Sequence, residues 1–279
     1  MPNFAEGRHG DAIDAIRRAL GASVVDVHVD SDHNRSVFTL TGRPGELAHL
    51  VSHGAREALQ YLDIGRHQGA HPRVGALDVA PIVFLSEAER GAACAEALVL
   101  GDLLGEELAI PVFLYGELGG GRTRAELRRG GPDGLGQRLG AGELEPDFGP
   151  PRLHPRAGAT LVGARPPLVA FNLELAAPAG VEDAQRIAAA IREGGEAGLH
   201  GLRAIGLWLA EKSIAQVSTN VEDPYATPLA DVVRAVRRHA ELVGAELVGL
   251  APRAAFEGFP DDVDVRGKKV LEDVLGGLD

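Results

Sequence analysis

The sequence has a single cysteine, Cys94, and that scarcity removes two chemistries at once. One thiol can form neither an intramolecular disulfide nor a multi-thiolate metal centre. Cys94 lies in an Ala-rich helical pattern and is expected to pack as a small hydrophobe rather than to act as a nucleophile. Long apolar runs are also missing. No window approaches the roughly 18 consecutive apolar residues of a membrane span. Met1 to Gly10 contains Asn3, Glu6 and Arg8 with no apolar stretch behind a basic start, so it reads as no secretory signal. From these absences a cytoplasmic chain, away from membranes, is expected. Positive charge is short as well: the net charge of -12 argues against nonspecific nucleic-acid binding, which needs a basic face.

What is present describes a folded α/β chain. Its 279 residues are comfortable for two domains, with 45% hydrophobic and 24% charged residues. Asp11 to Leu20 has helical spacing, and Ser23 to Val29 and Ser36 to Gly42 read as two strands joined by the polar turn Asp30 to Arg35. A helix is expected over Glu46 to Leu62, a strand over Val79 to Leu85, a helix over Glu87 to Leu108 and a strand over Pro111 to Tyr115. Periodicity then disappears from Gly116 to Pro155, which reads as a long loop. Arg122, Arg124, Arg128, Arg129 and Arg138 crowd into it, either as solvated surface charge or as a cationic flap for an anionic ligand.

Beyond it come strands at Ala159 to Val162 and Leu168 to Leu175, and a helix from Val181 to about Glu193. Strands follow at Leu202 to Leu209 and Ile214 to Val217, then a helix from Leu229 to Val243. Strand-strand-helix order near residues 23 to 62 and again near 202 to 243 suggests two units of similar construction, with a boundary at Pro166 and Pro167.

The densest chemical stretch runs from Gly65 to Asp78 and holds Arg66, His67, His71, Arg73 and Asp78 among glycines. Pro72 fixes its own φ and holds His71 extended, so a rigid loop can carry a base. His71 is the candidate for general acid-base work near neutral pH. Arg66, Arg73 and Asp78 can equally form an internal ion pair that shapes the loop. A metal on His67 and His71 is not expected, because the stretch is not helical and no carboxylate stands at a familiar interval. A second patch, Asp26 to Arg35, carries His28, Asp30, Asp32, His33, Asn34 and Arg35 around a turn. A third, Asp147 to Gly158, stiffens two arginines and a histidine with prolines.

In order along the chain, these patches resemble the formiminotransferase family. The matching segments are Pro2 to Gly7, Asn34 to Phe38, His67 to Asp78, Leu114 to Glu117, Asp147 to Pro150, Ala170 to Asn172 and Gln216 to Asn220. The resemblance implies two mixed-sheet α/β subdomains, residues 1–166 and 167–279, with helices outside and sheets facing across a substrate tunnel in a homodimer. It implies transfer of a formimino group from N-formimino-L-glutamate to tetrahydrofolate, which serves as co-substrate, with no metal.

It assigns the acid-base role to His71 and places folate against Gly149, Pro150, Pro151, Arg152, Leu153, His154, Pro155, Arg156, Ala157 and Gly158. Asn34, Arg35, Arg66, His67, Arg73 and Asp78 fall in the substrate-binding segments, with the arginines as candidates for carboxylates. Any cyclodeaminase activity would come from a separate polypeptide. Use of formylglutamate by the same fold, or folate binding without turnover, are the alternatives.

Three departures stand out. Relatives carry a short apolar strand upstream of Pro2, so the first sheet is expected to lose an edge unless the chain starts earlier. Ala70 stands where many relatives have a glutamate and His28 where the vertebrate-type enzymes have an aspartate, so the proton network around His71 is expected to differ from theirs. Leu118 to Glu145 matches poorly.

Overall fold

A computed structural model describes residues 1–276. The chain divides into two compact units, Met1–Pro166 and Pro167–Asp279.

The first unit is built on a six-stranded mixed sheet, ordered β2-β3-β1-β4-β6-β5. The strands are β1 (Asn3–Phe4), β2 (Val24–Asp30), β3 (Arg35–Leu40), β4 (Leu77–Val83), β5 (Val112–Leu114) and β6 (Thr160–Arg165). Pairings among β2, β3, β1 and β4 are antiparallel, whereas β4, β6 and β5 run parallel. The short β1 is therefore hydrogen-bonded on both sides, to β3 and β4, and lies inside the sheet. This corrects the expectation of a lost edge.

Helices α1 (Gly10–Leu20), α2 (Leu47–Tyr61) and α3 (Arg90–Leu108) pack over one face. In α1 the apolar spacing buries Ile13, Ile16 and Leu20, while Asp11 in the first turn and Arg17 and Arg18 in the last complement the helix dipole. Phe4 and Phe38, both fully buried, meet edge to face at 5.6 Å. Each such ring contributes about 1.5–3 kcal/mol by burial. Glu96 on α3 is buried because its carboxylate accepts from the amides of Ala48 (2.6 Å) and Gly45 (2.5 Å), tying α3 to the start of α2. Cys94, also on α3, is half-buried against this core.

The stretch expected as an irregular loop is more ordered than its composition suggests. It contains α4 (Arg124–Arg128), opened by a capping box between Thr123 and Glu126, and α5 (Gly131–Gly140). Leu127, Leu135 and Leu139 bury themselves with Val74, Val79, Phe113, Tyr115 and Leu161 in a second apolar cluster. Tertiary burial overrides the poor helix propensity of a glycine-rich segment.

The second unit carries a five-stranded sheet, ordered β11-β10-β7-β9-β8. These are β7 (Val169–Leu175), β8 (Leu202–Leu209), β9 (Ile214–Val221), β10 (Leu242–Val248) and β11 (Val265–Arg266). Helices α6 (Val181–Ile191) and α7 (Leu229–Arg237) bury Ile187, Ile191, Val232 and Val236 with Phe171, Leu173 and Val217. A short α8 (Leu271–Leu275) follows. The helix expected to reach Val243 ends at Arg237, and Leu242–Val248 is instead a strand paired to β7. On β7 the alternation is strict: Phe171 and Leu173 enter the core, while Asn172 and Glu174 point to the opposite face. Arg266 (2.6 Å) and Lys212 (3.2 Å) neutralise Glu174 there. The fold is two mixed sheets with helices, as the sequence led us to expect. No helix of the described residues is long and apolar enough to cross a membrane.

Candidate functional site

In the first unit, the turn between β2 and β3 and the loop before β4 lie against each other. Asn34 sits at the turn with φ of 48°, a left-handed conformation that asparagine tolerates. Its carboxamide is used at both ends: Oδ1 accepts the Gly7 amide at 2.8 Å and Nδ2 donates to the Gln68 carbonyl at 2.9 Å. His67 Nε2 donates to the Asn34 carbonyl at 2.8 Å, and the Ala70 amide donates to the Asp32 carbonyl at 3.1 Å. Gly7 has no room for a side chain, since a Cβ would stand 2.1 Å from the Asp30 carbonyl. Gly7, the turn at residues 30–35 and the loop at residues 67–70, far apart in sequence, thus form one hydrogen-bonded framework.

His71 projects from this loop. Its Nδ1 lies 2.7 Å from the Pro72 carbonyl oxygen, which can only accept, so Nδ1 carries the proton and Nε2 keeps its lone pair. The ring stands edge to face with His33, centroids 6.0 Å apart. Desolvation, followed by the fields of Arg35 and Arg128, holds the His71 pKa well below the ordinary value of 6.5, against the opposing field of Asp78. The imidazole is neutral at pH 7.

Beside it is a charged node. Asp78 is completely buried. Its Oδ1 accepts the Val74 amide at 2.8 Å, and its Oδ2 accepts from Arg35 at 2.8 Å and from Arg128. Burial alone would raise the Asp78 pKa; Arg128 and Arg35 overcome it and hold the carboxyl far below the usual range. Arg35 is fixed further by Asn3 Oδ1, which accepts from Nε at 3.1 Å and Nη2 at 2.9 Å. Two guanidiniums against one carboxylate leave the node with one positive charge in excess.

The other arginines go elsewhere. Arg73 turns into its own loop and donates to the carbonyls of His67 and Gly69. Arg66 is exposed beside Asp63 at 3.7 Å. Neither pairs with Asp78, so the ion pair expected within the loop is formed across strands instead. Of the arginine cluster, Arg122 pairs with Asp147 at 2.6 Å, Arg138 donates to the carbonyls of Glu126, Leu127 and Arg129, and Arg128 reaches Asp78. The sequence names Arg128 only as one of five clustered arginines and does not mark it as joining the site. Its signal was indirect: the capping box and Leu127 mark a short helix that carries it.

The segment Gly149 to Gly158 runs alongside. Gly149 sits where a Cβ would meet the Ile110 carbonyl at 2.6 Å, and its chain neighbour Phe148 fills the groove left by Gly101 and Gly105 on α3. Pro150 is half-buried, Pro151 and Pro155 are exposed, and Leu153 packs against the second apolar cluster. His154 and Gly158 exchange backbone hydrogen bonds of 2.9 Å. His154 Nδ1 also accepts the amides of Ala157 (2.9 Å) and Arg156 (3.2 Å). Desolvation and Arg156 lower its pKa, so this ring is a neutral turn former. The Arg156 and Ala157 carbonyls accept from Ile64 and Ala76, docking the segment on the His71 loop, while Arg152 and Arg156 remain exposed.

Comparison with known proteins agrees with this architecture. Residues 1–165 match the family described as formiminotransferase domain, N-terminal subdomain, and residues 170–258 match the formiminotransferase domain. The chain belongs to the formiminotransferase family. It is 34% identical over 295 residues to a glutamate formimidoyltransferase of Streptococcus pyogenes serotype M1, covering 99% of this chain and 98% of that protein. It is 34% identical over 270 residues to a glutamate formimidoyltransferase of Thermoplasma acidophilum, covering 92% and 88%. With the formimidoyltransferase-cyclodeaminase of Sus scrofa it shares 41% identity over 278 residues, covering 92% of this chain and 50% of the relative. The chain thus spans about half the length of the cyclodeaminase-bearing animal relatives it matches.

Proposed function

We propose that this chain transfers the formimino group of N-formimino-L-glutamate to tetrahydrofolate, giving 5-formiminotetrahydrofolate and glutamate, with His71 as the general acid and base. The observation that carries the reading is a neutral imidazole with its Nε2 lone pair available, held beside a node of excess positive charge. Tetrahydrofolate supplies the nucleophile, N5, which bonds to the formimino carbon. His71 Nε2 takes the proton released by that nitrogen. The same imidazolium then gives it to the glutamate nitrogen as its bond to carbon breaks, so the proton balance closes on one side chain. A lowered His71 pKa makes the imidazolium a stronger acid for the second step.

The positive node draws the anionic donor toward the ring. Its guanidiniums are held by Asp78 and Asn3, and Arg66, Arg152 and Arg156 are the exposed cations available for carboxylates of the donor and of the glutamyl tail. The stretch Gly149 to Gly158 is the folate side in this reading, supported by exposed Pro151 and Pro155 alternating with exposed Arg152 and Arg156. Asn34, His67 and Arg73 shape the loop that aims His71. In this reading the chain works in the cytoplasm as a homodimer.

The test is glutamate release from N-formimino-L-glutamate by the purified chain, with and without tetrahydrofolate, beside a parallel reaction with formylglutamate. Release that requires tetrahydrofolate and is faster from the formimino donor supports the proposal. No release from either donor refutes it, and faster release from formylglutamate reassigns the donor.

A further inference from the structure

His71 must present one ring atom accurately. Its hydrogen bond runs to the carbonyl of its own neighbour, Pro72, so it moves with the loop. The ring's contact with a distant segment is His33, edge to face at 6.0 Å with an interplanar angle of 80°.

His33 is anchored at the end of β2. It is 6% exposed, and its amide donates to Asp30 Oδ1 at 2.7 Å while its Nδ1 lies 3.5 Å from Asp30 Oδ2. Next in the chain is Asn34, locked on both sides by Gly7 and Gln68. Asp30 ends β2, so His33 inherits the rigidity of the sheet. Neither the acid-base role of His71 nor the charged node uses this second imidazole.

We propose that His33 is a positioning residue for His71: anchored by Asp30, its ring is the wall against which the His71 ring is oriented. The proposal rests on the transfer reading for its effect on turnover, but the ring contact stands on geometry alone. A well-placed ring matters because small displacements of a reacting group cost rate steeply. An aromatic edge-to-face pair is a specific way to set the angle between two rings. His33 also bears on the charge of its neighbour. The groups facing His71 are Arg35 from β3, Arg128 from α4, Asp78 from β4 and His33 itself, and His33 adds to the lowering of the His71 pKa.

Three variants separate ring from polarity: His33→Ala removes both, His33→Asn keeps a polar group for Asp30 without the ring, and His33→Phe keeps a ring. The alanine and asparagine variants are expected to lose about tenfold in kcat with KM within about twofold, and phenylalanine to recover most of the loss. In all three the acid limb of the rate profile moves to higher pH. Phenylalanine no faster than alanine, or alanine as fast as the unaltered chain, overturns the proposal. Histidine ring signals in proton-carbon NMR provide a readout independent of turnover. Loss of the His33 ring shifts the His71 Cε1–H signal and raises its titration midpoint, and an unmoved signal in folded His33→Ala overturns the proposal. If the unaltered chain transfers nothing, the transfer reading falls and these NMR shifts alone decide whether His33 orients His71.

Discussion

Replacing Asp78 with asparagine leaves the shape of the buried node intact and removes its charge. Asp78 accepts three donors: the Val74 amide at Oδ1, and Arg35 and Arg128 at Oδ2. A carboxamide has one accepting oxygen, so its NH2 must face either the Val74 amide or the two guanidiniums. Removing one partner of a buried ion pair costs about 3–5 kcal/mol, because the remaining charge stays desolvated. Arg35 keeps its two bonds to Asn3, which softens the loss, whereas the hydrogen bond of Arg128 goes to Asp78. The expected cost is therefore near the lower end, about 3 kcal/mol, or about a hundredfold in the folding equilibrium. Urea unfolding followed by far-UV circular dichroism measures it as a fall in midpoint at unchanged slope. Hydrogen exchange at the Val74 amide gives the local reading. A loss below about 1 kcal/mol, the net worth of an ordinary hydrogen bond, with Val74 still protected, would refute the view that Asp78 organises the site.

The pH dependence has a definite sign. His71, His67 and His154 all have lowered pKa values, with desolvation the first cause in each. Below the unfolded value of about 6.5 the unfolded chain binds protons that the folded chain refuses. Stability is thus complete above that value and declines as pH falls through it toward the folded values, measurable as a falling thermal midpoint between pH 7 and 5. Activity behaves differently, because His71 remains a base below 6.5; kcat/KM that halves at pH 6.5 or above contradicts the account. Gly75→Ala places a Cβ 1.8 Å from the Ala159 carbonyl and 2.8 Å from that of Ala157, both backbone atoms. We expect a loss of several kcal/mol, on the order of the largest single-residue effects, and a separation of the 149–158 segment from the His71 loop that appears as faster exchange at the Ala76 amide.

Much of this arrangement is legible in the sequence because local pattern and tertiary structure agree. The alternation through β2 and β3, the helical spacing of α1 and α2, and the glycine-rich loop around His71 each signal their own conformation. Two features escaped for physical reasons. Arg128 lies where glycines erase helical periodicity, and burial of Leu127 and Leu135 rather than propensity makes the helices that deliver it. Strand β10 escaped because the residues after α7 continue an apolar spacing compatible with a helix; pairing with β7 makes them a strand. The charged node is illegible for a different reason. Sequence offers Arg66 and Arg73 as near neighbours of Asp78, and only the sheet register brings in Arg35 and the cover of α4 Arg128.

The most direct test of the central claim compares His71→Ala with the unaltered chain in turnover of N-formimino-L-glutamate and tetrahydrofolate, with tetrahydrofolate binding measured on both. Loss of the proton carrier predicts a fall in kcat of about two to four orders of magnitude, with binding preserved and the fold unchanged by circular dichroism. Turnover within a few fold of the unaltered chain would contradict the account and remove His71 from the chemistry.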